Sequence, residues 1–173
     1  MIKFNALLVT VLLSISIYVF AGDKPKTIEA KNTDTITVSE DNNPIVVKEV
    51  SGDFDSIKEN IEMAITDKGL LVSGTLHVSE MLNRTGKDLG FDKAIFEKAE
   101  SVEFCSAVIS HKMAIADPAN ITVCPFTVAV YTYATKPETV YVSYHKPALM
   151  GDAKEVTQEI NDLLSSIVTE ATE

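Results

Sequence analysis

Apolar and polar positions alternate along this chain with two different periods, and the changes from one period to the other mark out its elements. Ile45-Val46-Val47-Lys48-Glu49-Val50 is a β-branched run that predicts a strand. Phe54, Ile57, Ile61, Ala64 and Ile65 then recur at helical spacing, with Asp53 placed to cap the start and Gly69 to mark the stop. A second strand runs from Leu70 to His77, after which Ser79 is placed to cap a short helix carrying Met81 and Leu82 and ending near Gly86. Beyond a less regular stretch, Phe91 to Glu100, the run Ser101 to Cys105 alternates as a half-buried strand does. The helix predicted from about Ala107 to Ala116 is stopped by Asp117-Pro118. Phe126 to Tyr133 and Thr139 to Tyr144 read as two strands joined in a hairpin through Lys136-Pro137-Glu138. The last helix opens at Asp152 with Glu155 as a capping-box partner, and Val156, Ile160, Leu163, Leu164 and Ile167 form its apolar stripe.

Adjacent hairpin strands exclude a purely parallel sheet. The order of elements therefore predicts an α+β two-layer sandwich, a mixed or antiparallel sheet with helices packed on one face. A single domain is expected over residues 45–173, a size that supports a proper core. Ahead of it, Lys3 precedes an apolar run from Ala6 to Phe20, with Ala21-Gly22 as a cut site, so residues 1–22 read as a secretory signal peptide. Residues 23–44 read as a polar linker with a short strand at Thr35 to Ser39 and a turn at Asp41 to Pro44. The expected location is periplasmic or secreted, with no membrane association once the signal is cleaved.

A formal net charge of −10 argues against nucleic acid as a partner, because affinity for phosphates rests on Lys and Arg. No internal repeat at a solenoid period is present. The sequence has no Gly-x-Ser-x-Gly elbow, no His-Glu-x-x-His helix and no phosphate-cradling glycine loop. The acidic groups Asp53, Asp55 and Glu59, and Glu155, Glu159 and Asp162, read as solvated helix starts and faces. Tyr131, Tyr133, Tyr141 and Tyr144 read as cross-strand pairs of the hairpin, the outward ones able to line a ligand groove.

The candidate chemistry centres on Cys105 and Cys124, which bracket the segment holding His111 and Met113. In an oxidising compartment two cysteines commonly pair, and closing a loop of about 20 residues stabilises by roughly 3 kcal/mol. A thiol redox pair is the competing reading, with Cys105 just ahead of a helix but Cys124 far from the Cys-x-x-Cys spacing such exchange uses. The central helix is apolar nearly all round, which predicts either deep burial or a covered second face. His111 on it, with Met113 or a cysteine as second ligand, is a candidate for non-covalent haem. No Cys-x-x-Cys-His sequence exists for covalent haem, and a zinc site lacks an evident fourth ligand. His77 and His145, at predicted strand ends, are secondary candidates.

Asp53-Phe54-Asp55-Ser56-Ile57, Phe104-Cys105-Ser106, Ser110-His111-Lys112-Met113, Asp117-Pro118 and Cys124-Pro125 leading into Val128-Ala129-Val130-Tyr131 together resemble the domain-of-unknown-function 302 family, in outline from about Val47 to Ile167. The Cys124-Pro125 order resembles an exported branch of that family. The resemblance implies the compact α+β fold and no reaction or active site. The reading that results is an exported, non-catalytic binding domain for a small ligand or haem near the central helix, with possible homodimerisation. Thiol redox chemistry and a structural or assembly role are the alternatives.

Overall fold

Five strands form one antiparallel sheet in the computed structural model, which describes residues 43–173. They are β1 (Ile45–Val50), β2 (Leu71–His77), β3 (Phe96–Cys105), β4 (Phe126–Tyr133) and β5 (Lys136–His145), in the spatial order β1-β5-β4-β3-β2. Every pairing is antiparallel, which settles the expected choice between mixed and antiparallel. The helices are α1 (Phe54–Asp67), α2 (Val78–Gly86), α3 (Ala107–Ala116) and α4 (Lys154–Ala171). The expected signal, linker and Thr35–Ser39 strand lie outside the described residues.

Strand alternation sends every second side chain to one face, and there the core forms. Val102, Phe104, Phe126, Val128, Val130, Val140, Val142 and Tyr144 are buried on that face. Against them pack Phe54, Ile57, Ile61 and Ile65 of α1 and Val156, Ile160, Leu164 and Ile167 of α4. Each large side chain so buried contributes roughly 1.5–3 kcal/mol, which makes this layer contact the main source of stability. Asp53 caps α1 as expected, its carboxylate accepting from the Ser56 backbone N–H at 3.0 Å. Lys98 of β3 closes over the helix start, 2.7 Å from Asp55 and above the Phe54 ring.

Four local expectations change. Ser79 does not cap α2; His77 holds that position without a side-chain bond, and the Ser79 hydroxyl instead accepts from the Ala99 N–H at 3.1 Å. It thereby extends the β3 ladder past the end of β2. β3 begins at Phe96 rather than Ser101, because a register shift between Phe96 and Lys98 erases the alternation that would have revealed it. The hairpin turn is Ala134-Thr135, with Lys136-Pro137-Glu138 already in β5. α4 opens at Lys154 after Ala153 with no side-chain cap, so the expected Asp152–Glu155 box does not form.

After α3 a 3₁₀ stretch, Pro118–Val123, carries Asn120, which is 3 % exposed. Its amide donates to the Met113 and Met150 carbonyls, each at 3.1 Å, and its oxygen accepts from the Met150 N–H at 2.8 Å. One side chain thus ties the end of α3 to the segment entering α4. Beside it, Gly151 has φ +74°, and a Cβ there would collide with the Ala116 carbonyl. Asn120→Ala strands these backbone groups, so urea unfolding should show a loss of about 1–3 kcal/mol. An unchanged midpoint would contradict the clasp.

Candidate functional site

Cys105 closes β3 and Cys124 immediately precedes β4, and because Phe104 registers with Phe126 the two strand ends lie side by side. They are bridged, with a Cα–Cα distance of 6.3 Å and a separation of 19 residues. Both half-cystines are partly exposed, and the Ser110 hydroxyl lies 3.8 Å from the Cys124 sulfur. α3 starts directly after this bridge, capped by Ser106, whose hydroxyl accepts from the Ile109 N–H at 3.4 Å. The staple therefore fixes where the central helix leaves the sheet.

α3 is buried on one side only. Ile109 and Met113 sit in the core, while Val108 and Ile115 are exposed. His111 is exposed and Met113 wholly buried, as positions two apart on a helix of 3.6 residues per turn must be when one face packs. The two side chains point to opposite sides and do not meet at one iron. Shallow grooves of about 330 and 340 Å³ lie along the 122–127 and 145–158 segments, and α3 lines neither. The structure therefore does not bring His111 and Met113 together. Among the described residues no three His, Cys, Asp or Glu side chains cluster as metal ligands.

The secondary histidines also lie apart. His77 ends β2 with Nδ1 3.2 Å from Glu100 Oε1, whose other oxygen is 2.9 Å from Lys58 Nζ. Burial pushes the Glu100 carboxyl up, but Lys58 and His77 outweigh it and hold the group below its usual range. His145 ends β5 in the groove lined by Pro125 and Thr127. β4 and β3 stand between β5 and β2, so the two histidines do not converge.

The sheet face away from α1 and α4 gathers what sequence spacing left scattered. Phe96, Tyr131, Tyr133 and Tyr141 form a continuous ring cluster there. Tyr131 stacks on Tyr141 at 5.4 Å and meets Phe96 edge-on at 5.5 Å, and Tyr133 meets Tyr141 at 5.1 Å. Tyr144, expected with them, instead points into the core at 8 % exposure. Next to the rings runs a row of small side chains, Ser143, Ala129 and Ser101, ended by Val47 on β1 and Leu76 on β2. The following row is Ile45, His145, Thr127, Glu103 and Gly74. Burial, then the neighbouring Tyr133 and Tyr141 phenols, pushes the Tyr131 phenol well above the ordinary range; burial, then Glu49, raises that of Tyr141. The β2–β3 connection separately carries exposed Met81, Leu82, Leu89 and Phe91. Alternation in β4 and β5 made the outward tyrosines legible; Phe96 was hidden by the shifted register.

The family described as Domain of unknown function DUF302 matches residues 46–171. A crystal structure of an uncharacterized conserved protein DUF302 from Bacillus stearothermophilus is similar in fold, with a TM-score of 0.61 at 18% identity, covering 74% of this chain and 98% of that one. No curated protein matches the chain.

Two outcomes test this geometry. Replacing both cysteines by serine should lower unfolding stability by about 3 kcal/mol in the chain-entropy account, read by denaturant titration without reductant; equal stability would contradict a formed bridge. Tyr131 stays neutral to higher pH when folded than when unfolded. Its contribution is thus whole below about pH 10 and is lost as pH rises from there toward the raised folded value. Tyr131→Phe should flatten that alkaline decline, and an absorbance titration should lose its latest phenolate step.

Proposed function

The chain belongs to the DUF302 family, and from that premise we propose that it is an exported, non-catalytic docking domain that holds a protein partner against the open face of its sheet. The observation that carries the reading is the ring cluster of Phe96, Tyr131, Tyr133 and Tyr141 on the sheet face opposite α1 and α4, where all four side chains stay part-exposed. Tyrosine is enriched at the buried centres of protein interfaces, where a ring supplies contact area and its hydroxyl tolerates the rim. A flat face of half-buried side chains suits a protein surface better than a small ligand, which calls for a concave pocket that buries most of it.

Export is supported by the apolar N-terminal run and by the Cys105–Cys124 bridge, since disulfides persist in oxidising compartments. Thiol exchange is the weaker alternative, because the pair lacks the Cys-x-x-Cys arrangement that activates one thiol. The bridge instead fits a staple that keeps the β3 and β4 ends, and with them the open face, in register.

A benzophenone side chain in place of Tyr133 tests the reading, since it keeps an aromatic group in the cluster. Irradiation in the producing cell should give a defined protein adduct from position 133 and none from position 165, an exposed site on α4. Adducts from 165 alone, or from neither, would contradict docking through the open face.

A further inference from the structure

We infer that the partner is a second copy of this chain, the two open faces stacking about a two-fold axis; this rests on the docking reading above. In such a pairing the same patch serves both sides and must fit itself. The open face has that form. A ridge of rings, Tyr141 and Tyr131, runs beside a row of small side chains, Ser143, Ala129 and Ser101, one residue pair along the same strands. A two-fold axis laid between the ring row and the small row, parallel to both, sets the Tyr141 and Tyr131 rings of each copy over the Ser143 and Ala129 positions of the other.

Charge selects this face among those available. Two copies of a chain with net charge −10 repel, and the carboxylates of α1 and α4, including Asp55, Glu59, Glu62, Asp67, Glu155, Glu159, Asp162 and Glu170, place much of that charge on the helix layer. Across the three registered rows of the open face the ionisable groups besides the phenols are Glu49, Glu103 and His145. Contact there keeps the acidic layers a full domain apart. Salt should then strengthen association, by screening the residual repulsion.

Area is sufficient as well. Five strands spaced about 4.8 Å apart, each contributing about five residues of rise, present roughly 400 Å² in plan. With side-chain relief added to the plan area of each face, two copies approach the total of about 1,000 Å² that a specific interface needs.

Sedimentation equilibrium of the purified protein is the test. The expected mass is twice that of the chain, with dissociation at least ten-fold easier for Ala129→Arg and for Ser143→Arg, and unchanged for Ser165→Arg on α4. Far-UV dichroism of each variant confirms its fold, and two central variants guard against one failing. A monomer at about 100 µM, or a dimer indifferent to both central substitutions, overturns the inference. The position-133 adduct separates the two readings. An adduct of twice the chain mass supports the second copy; one with a different protein overturns it and leaves docking standing; no adduct overturns docking itself.

Discussion

The structure depends on a sheet that is buried on one side only. Antiparallel strands alternate their side chains, and in β3, β4 and β5 the alternation sends Val102, Phe104, Val128, Val130, Val140 and Val142 beneath α1 and α4. Helix cover on that face leaves the other to be explained. Rings, small side chains and marginal aliphatics occupy most of its three registered rows, with Glu49, Glu103 and His145 as the ionisable groups besides the phenols, while the helices opposite carry many carboxylates. The same alternation that forms the core therefore also forms the candidate site.

The strand ends are secured by separate means. Beyond β3 and β4, the Cys105–Cys124 bridge joins neighbouring chain segments just where α3 departs. Asn120 then holds the far end of α3 against the Met150 backbone, so the helix is fixed at both ends. On the opposite flank Lys58, Glu100 and His77 join α1, β3 and β2 in one partly buried network. The common effect of these groups is to hold the sheet's register, which is what a flat recognition surface requires.

Much of the architecture was legible because it follows from periodicity. The Asp53 cap, the α1 and α4 stripes and the paired β4 and β5 strands all express local rules that tertiary packing does not override. The losses have physical causes. Phe96 to Lys98 lies in a shifted register, so the first half of β3 shows no period-two signal. Ser79 carries a capping residue's chemistry but spends its hydroxyl on the β3 backbone. For the site, sequence placed the cysteines adjacent to the central helix, and the antiparallel register of β3 with β4 explains why they reach each other. His111 and Met113 lie on a helix whose sequence is apolar nearly all round. The fold packs only one side of it, which separates them, and leaves Val108 and Ile115 exposed. Which tyrosines face outward depends on strand phase: 131, 133 and 141 share one side and 144 takes the other.

Hydroxyl-radical footprinting of the protein as isolated reads the central claim residue by residue. Phe96, Tyr131, Tyr133 and Tyr141 should label slowly at working concentration and faster on dilution, while Met63 on α1 and Ile115 on α3, both exposed, label freely throughout. Ring labelling that is rapid and unaffected by dilution, with protection found instead at Met63 or Ile115, would contradict an open-face interface.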